Sequence, residues 1–432
     1  MWLIEAVFIG RLSAAALGGV GFALQIILVT MTLLLTFVMG SIILINRHLG
    51  SQDRWGANHI LGQSVAAAFM LSIPIGLLWY FGAPQLFQLI REKEILNSVS
   101  SPGAISGIES GMQYLRVVAL ATPILVTNFV CVGLIRGAGD THISMTINVT
   151  MNITNALLTP ILIYGWLGLP AWGVKGAAVA MVFAHCLGFA MTLRHLRRRK
   201  STLFLAMSEI TTLRWESFKL LFKMGLPTTV EQLVWSAGQL VVTGFVASIG
   251  IAELAVHQVF LRIQGVLSMF YLGFGLAAMT QVGQNIGANA HHHAERTGHL
   301  THRIVLVFGF IILAFMVLFY QPILHLFIRK EDMVIAQFGV QSVFVVFALV
   351  QVPKALNTVI TGSLRGAGDI QWLMWINVFA VLALELGANY LGAFVLHFGL
   401  IGIWAIQFLD EVIKSFINSH RFRGGKWKLI RI

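Results

Sequence analysis

Arg136-Gly137-Ala138-Gly139-Asp140 and Arg365-Gly366-Ala367-Gly368-Asp369 spell the same five residues, RGAGD, 229 positions apart. Ile147-Asn148 follows the first copy and Ile376-Asn377 follows the second at the same offset. Each copy sits in a short polar gap between two long apolar runs, so the stretch marks an internal duplication. A second match supports it. Leu24-Gln25-Ile26 lines up with Leu261-Arg262-Ile263, and Gly50 with Gly287, at an offset of 237. The difference between the offsets fits a longer loop in the first half, the polar stretch Asn97 to Gly111. The expected organisation is an N-terminal six-helix lobe over 1–200, a cytoplasmic interfacial linker over 201–217, and a C-terminal six-helix lobe over 218–432 with a basic tail. Two similar helical halves are a common transporter plan.

Composition sets the class. Hydrophobic residues make up 57% of the 432 and charged residues only 11%. A soluble domain carries about 25% charged residues. Many apolar runs exceed the roughly 20 residues that a spanning helix needs. The chain is therefore expected to be an all-α integral membrane protein with twelve transmembrane helices. The spans are placed near 1–17, 22–45, 57–81, 113–135, 143–164 and 174–196, then 218–249, 254–283, 304–320, 338–364, 372–396 and 400–417. Cys131 and Cys186 both fall in apolar runs and are expected as small core residues, not a disulfide.

Loop charges give the orientation. Counted alternately, one side carries Arg47, Arg54, Arg136, the run Arg194–Lys200, Arg214, Arg296, Arg303, Arg365 and the tail Arg421–Arg431, 17 basic residues in all. The other carries 6, namely Arg11, Arg91, Lys93, Lys175, Arg329 and Lys330. The basic side is cytoplasmic by the positive-inside rule, which places both RGAGD turns and the C-terminus there. The net charge of +12 thus needs no nucleic acid. The segment from Leu203 to Phe218 mixes apolar with polar residues after the basic run, and is expected to lie at the cytoplasmic interface.

The first span is short. A helix over Met1–Leu17 is about 25 Å long, less than the bilayer core. The expectation is a first helix that is truncated or begins at a misassigned start. It lacks the basic lead-in of a cleaved signal.

Ionisable residues inside spans are costly and tend to face a cavity or a partner. Glu5 and Glu231 lie in the first spans of the two halves. A carboxylate in a low-dielectric cavity can hold a proton, neutralise a cationic ligand or coordinate Na⁺. The structural alternative pairs each with Arg116, Arg262 or Lys354. Asn148, Asn152, Asn155 and Thr159 recur at helical spacing and share one face of the fifth span. Such a stripe lines an aqueous path or joins helices. Glu385 is isolated in the eleventh span. Asp410 lies one turn before Lys414, which points to a local ion pair. His185 and His257 are expected as satisfied core histidines. His291, His292, His293, His299 and His302 are expected in a solvated loop, and no metal site is expected. In the RGAGD turns, the two glycines of each copy, Gly137 with Gly139 and Gly366 with Gly368, permit a tight bend, Asp140 and Asp369 cap the next helix, and Arg136 and Arg365 hold a neighbouring carbonyl or carboxylate.

The chain resembles the multidrug and toxic compound extrusion family. The resemblance rests on the two RGAGD turns, Gly10-Arg11-Leu12-Ser13 after an acid, Gly225-Leu226-Pro227, His257-Gln258 through Ile263, Gly283-Gln284-Asn285-Ile286-Gly287-Ala288, and the tail Arg421 to Lys428. It implies twelve helices in two lobes around a central cavity, and export of organic cations against H⁺ or Na⁺. The family's first-span acid falls on Glu5, with Glu where Asp is usual. The fifth-span pattern falls on Asn155 to Pro160, with Thr159 at the aspartate position. Glu231 matches a seventh-span acid of some members, while the tenth-span acid of some Na⁺-linked members has no counterpart before Arg365.

The expected function is a secondary antiporter of the cell inner membrane, with Glu231 and Glu5 as cation-coupling carboxylates. Asn155, Thr159, Asn152 and Asn148 are the expected cavity residues. The coupling ion is H⁺ or Na⁺, with no resident cofactor. The partners are small organic cations and membrane lipids, and the chain acts as a monomer. The alternative is a flippase for lipid-linked saccharide precursors, whose pyrophosphate would call for a cationic cavity. Here the in-span charges are mixed. A membrane enzyme would need His, Asp or Cys converging near one interface, and none converge.

Overall fold

A computed structural model describes residues 2–97, 102–198, 202–206, 209, 214–325 and 340–430. Among the described residues, fourteen α-helices follow in order: α1 (Trp2–Leu12), α2 (Ala14–Gly50), α3 (Arg54–Asn97), α4 (Pro102–Leu120), α5 (Thr122–Gly137), α6 (Thr141–Tyr164), α7 (Val174–Leu196), α8 (Trp215–Ile249), α9 (Ile251–Gly287), α10 (His291–Leu318), α11 (Tyr320–His325), α12 (Val340–Gly366), α13 (Ile370–Ala380) and α14 (Gly399–Arg423). Beyond α13 the same span continues as π-helix over Val381–Ala388 and Leu391–Val395. No strand occurs among the described residues.

Among the described residues, nine helices are long and apolar enough to cross a membrane, and the bent pair α4–α5 makes a tenth. The other two expected spans are α1, with 11 residues, and α14, whose middle carries Asp410, Glu411 and Lys414. The helices show lipid-type surfaces. Leu240, Met269, Leu318, Phe379 and Phe416 are each at least 70% exposed, as expected where the solvent is hydrocarbon and the backbone is satisfied within each helix.

The duplication reappears as geometry. At the offset of 237, α2 maps onto α9 end for end, and both have 37 residues. At the offset of 229, the end of α5 and the start of α6 map onto the end of α12 and the start of α13. The last residues of α2 and α9 are Gly50 and Gly287. A side chain at Gly50 would strike Gln284 O, and one at Gly287 would strike Arg47 O, so close backbone approach requires glycine at both.

Several expected boundaries move. The first span ends at Leu12, because Ser13 Oγ accepts from the Ala15 and Ala16 amides at 3.2 and 3.5 Å and caps a new helix. Much of the expected loop from Asn97 to Gly111 is helix, since α3 runs to Asn97 and α4 starts at Pro102. The expected fourth span is bent by 68° between Leu120 and Thr122. Pro123 sits in the first turn of α5, where the helix tolerates it. Much of the expected interfacial linker, at 201, 207, 208 and 210–213, lies outside the described residues.

In the turns, Gly139 and Gly368 take left-handed φ of 99° and 84°, the conformation the tight bend needs, while Gly137 and Gly366 end the preceding helices. Asp140 and Asp369 stand at the helix starts but make no capping bond. Asp140 meets His195 Nε2 at 3.1 Å, and Asp369 accepts from Arg421 Nε at 2.7 Å and Nη2 at 3.3 Å. A side-chain partner occupies each carboxylate, and at Asp369 it is a guanidinium, whose charge-assisted bonds outcompete one to a neutral amide.

The chain folds as two compact units. One comprises 1–45 with 54–225, and the other 46–53 with 226–432. The first has a core of Ile9, Val20, Trp79, Phe87, Tyr114 and Met181. In the second, Phe260 stacks on Phe347 with ring centroids 4.6 Å apart, and Trp404 meets both edge-on. At its basic end, Phe422 stacks on Trp427. His299 and His302 pack edge-on against Phe422. The histidine group therefore lies in α10, not in a solvated loop, and no set of metal ligands occurs among the described residues.

Candidate functional site

In the first unit, α1 carries Glu5 into the core, where it has no solvent exposure. Tyr164 O–H donates to Phe8 O at 3.0 Å and holds α1 against α6. Two neutral donors reach the carboxylate, one per oxygen. Tyr114 O–H donates to Oε2 at 2.9 Å, and Asn155 Nδ2 donates to Oε1 at 2.8 Å. No lysine, arginine or histidine side chain forms an ion pair with Glu5 among the described residues. Two more oxygens, Asn155 Oδ1 and Thr159 Oγ1, are buried without a hydrogen-bond partner. The group is thus an oxygen-rich cluster with one carboxylate and no lysine, arginine or histidine counter-ion among the described residues, a setting suited to a proton or a small cation.

The fifth-span polar stripe divides. Asn155 and Thr159 are fully buried and Asn155 reaches Glu5. Asn148 and Asn152 each donate to a carbonyl of their own helix one turn back, Ser144 O at 2.8 Å and Asn148 O at 2.7 Å. Glu5 and Asn155 come together, and the two outer asparagines do not join them.

In the second unit, Glu231 on α8 is the neighbouring carboxylate that the RGAGD arginine Arg365 holds. Arg365 Nη2 donates to its Oε1 at 2.6 Å, while Asn377 Nδ2 donates to its backbone carbonyl at 3.0 Å. Arg116, Arg262 and Lys354 do not pair with it. Lys354 is engaged elsewhere, and the RGAGD arginine has the reach. Arg365 thus ties the end of α12 to α8, whereas its repeat mate Arg136 is exposed.

A further ion network joins spans that the sequence reading treated singly. Lys354 Nζ on α12 lies 3.0 Å from Glu411 Oε1 on α14, and Asn357 Nδ2 donates to Glu411 Oε2 at 2.9 Å. Lys414 Nζ lies 2.5 Å from Asp410 Oδ2, 3.9 Å from Glu411 and 4.0 Å from Glu385 Oε1. Gln239 Nε2 donates to Glu385 Oε2 at 3.2 Å. Glu385 is therefore not isolated. It sits in the π-helical stretch, and a side chain at Gly238 would crowd its Oε2 at 3.1 Å. The available signal was the number of ionisable residues in the last three spans, since such groups seek each other in a membrane. His257, expected to be satisfied, is buried beside Trp404 with neither ring nitrogen hydrogen-bonded.

Comparison with known proteins agrees with this architecture. The sequence model of the MatE family matches residues 1–161 and 227–391. A probable multidrug resistance protein NorM of Thermotoga maritima is 25% identical over 99% of this chain and 88% of its own length. The uncharacterized transporter YisQ of Bacillus subtilis is 24% identical over 98% of this chain and 90% of its own. Among solved structures, a MATE protein in the bent conformation has a TM-score of 0.85 at 21% identity, covering 98% of this chain and 90% of that one. An outward-facing multidrug resistance MATE family transporter of the MOP superfamily has a TM-score of 0.82 at 22% identity, covering 98% and 91%. The fold they share with this chain is the twelve-helix, two-lobe fold.

Proposed function

Since the chain belongs to the MatE family of multidrug and toxic compound extrusion transporters, a family without enzymatic activity, we propose that it is a secondary antiporter exporting small organic cations, drugs among them, in exchange for H⁺ or Na⁺. The observation that carries the reading is Glu5: a fully buried carboxylate held by two neutral donors.

That arrangement has two states. With Glu5 ionised, both oxygens accept hydrogen bonds and the negative charge awaits a cation. With Glu5 protonated on Oε1, the new O–H faces the Asn155 amide N–H, donor against donor. Turning the amide by half a rotation brings its unpartnered Oδ1 to accept that proton. Cation uptake therefore changes the bonding between α1 and α6, and a cation that binds the two arrangements differently shifts their balance. Thr159 Oγ1, one turn beyond Asn155, supplies another oxygen. Asn148 and Asn152 offer amide groups to a passing substrate along the same helix.

Glu231 has a narrower role in this reading. A cation reaches its carboxylate by displacing Arg365. The carboxylates of both units suit cationic cargo, and a lipid-linked pyrophosphate would find no cationic cradle in the Glu5 pocket. In this reading the protein sits in the cell inner membrane, and the basic loops support a cytoplasmic C-terminus. One chain, acting as a monomer, completes the machine.

The test is efflux of ethidium from loaded right-side-out vesicles under H⁺ and Na⁺ gradients imposed separately. Wild type, Glu5→Gln and Glu231→Gln are compared at equal expression. Transport under one gradient, lost in Glu5→Gln, supports the reading and names the ion. Wild-type efflux that survives in Glu5→Gln refutes the assignment of Glu5. No wild-type efflux under either gradient refutes the antiporter reading.

A further inference from the structure

The network around Glu385 has one carboxylate too many. Three carboxylates, Glu385, Asp410 and Glu411, face two ammonium groups, Lys354 and Lys414. Lys354 is taken by Glu411 at 3.0 Å and Lys414 by Asp410 at 2.5 Å. Glu385 is left with the Gln239 amide on Oε2 and an ammonium 4.0 Å from Oε1. Its Oε1 has no hydrogen-bond donor. Both Glu385 and Asp410 have no solvent exposure. An uncompensated charge there is expensive, because neither water nor a counter-ion offsets its lost hydration.

The hydrogen-bond count points the same way. Asp410 Oδ1 and Asn389 Oδ1 are also buried acceptors without a donor. Asn389 stands one turn beyond Glu385, and its Nδ2 donates to the Glu385 carbonyl at 2.9 Å. The network lacks one positive charge and has more buried acceptors than donors. A single proton supplies the charge and one of the missing donors. A metal ion fits poorly. No group of three or more His, Cys, Asp or Glu side chains is placed to hold one among the described residues. Lys414 Nζ already takes the position that meets Asp410 and Glu385.

We infer that Glu385 is a proton-binding site of the second unit, distinct from Glu5, which takes one H⁺ onto its carboxylate and brings the five-group network to zero net charge. The bond formed is O–H on Glu385, and nothing else leaves or enters. The groups facing it are Gln239 from α8, Lys354 from α12, and Asp410, Glu411 and Lys414 from α14, with Asn389 from its own helix. The π-helical backbone is consistent with a working position, since such segments gather at functional sites. The inference rests on the antiporter reading only for the use made of the proton, and its test needs no transport.

The test uses the purified full-length protein in detergent, without a gradient. Unfolding is followed against pH for wild type, Glu5→Gln and Glu385→Gln. A folded state that holds one proton more than the unfolded chain loses stability as pH rises, by about tenfold per unit in the unfolding constant. Glu5→Gln should keep the slope owed to Glu385. Glu385→Gln, whose network is neutral at any of these pH values, should lose it. The infrared spectrum of Glu5→Gln should also carry a protonated-carboxyl C=O band that disappears at alkaline pH. A slope unchanged in Glu385→Gln overturns the inference. So does stabilisation of wild type, but not of Glu385→Gln, by sodium at alkaline pH. Should Glu385→Gln fail to fold, the infrared band in Glu5→Gln decides, and its absence overturns the inference. Failure of ethidium efflux with these results intact would sink the antiporter reading alone.

Discussion

Replacing Lys354 by Met would remove the counter-ion closest to Glu411 while keeping the length of the side chain. The pair is 3.0 Å apart, with side-chain exposures of 12% and 5%. At an effective dielectric of about 20, charges at that distance attract by about 5–6 kcal/mol. Part of this is offset by the hydration that Lys354 surrenders on burial. Two partners remain to Glu411 in the variant, the Asn357 amide at 2.9 Å and Lys414 at 3.9 Å. The net loss should therefore fall near the lower end for breaking a buried pair, about 3 kcal/mol. Lys354→Met with Glu411→Gln removes both charges and should lie within about 1 kcal/mol of wild type. Denaturant unfolding in detergent, followed by tryptophan fluorescence, measures the full double-mutant cycle. A coupling below about 0.5 kcal/mol, or a single variant as stable as wild type, would refute the claim that Glu411 is a buried charge sustained by Lys354.

Tyr114→Phe removes one of two donors to a buried carboxylate, a charge-assisted bond of about 1.5–3 kcal/mol; vesicle efflux should show a changed dependence on the coupling gradient, while a profile identical to wild type would argue against Tyr114 acting on Glu5. Gly287→Val places a side chain against the Arg47 carbonyl and should cost at least about 2 kcal/mol, read as a lower unfolding midpoint or loss of folded yield. Arg421→Gln releases Asp369 and uncovers the Trp372 face on which the guanidinium lies at 4.6 Å; limited proteolysis should then cut the chain beyond Arg421 faster than in wild type. Ser13→Ala should cost about 1 kcal/mol through loss of the cap on α2.

The helical plan was legible because apolar runs are long and the duplication repeats them in register. Thr141 and Ile370 both open a helix after RGAGD, as the offset predicts. Hydropathy could not see the break at Ser13, where one hydroxyl ends a helix inside an apolar run. Nor could it see α3 running on to Asn97, because polar residues at a helix end read as loop. At the site, in-span position singled out Glu5 and Asn155, which the fold brings together. Tyr114 escaped notice, since a tyrosine in a membrane span is ordinary until its hydroxyl is seen against a carboxylate. Arg365 is expected to hold a neighbouring carbonyl or carboxylate, but only the fold shows that this carboxylate is Glu231 and not a group beside the turn. The network around Glu411 was hidden for a different reason. Its members come from four helices, and each looked tolerable alone.

The π-helical turn at Glu385 carries a historical consequence. A π turn is one residue more than an α-helix needs, so within a duplicated chain it reads as an insertion in one copy. At the offset of 229, Asn155 of α6 falls opposite Leu384. One inserted residue before that point moves the match to Glu385, on a π segment that opens at Val381. The first copy runs as α-helix from Thr141 to Tyr164 and gained no such residue. In that register the amide that holds a carboxylate in one half and the carboxylate short of a proton in the other occupy equivalent positions of the two copies. The two halves kept a polar group there and diverged in its chemistry.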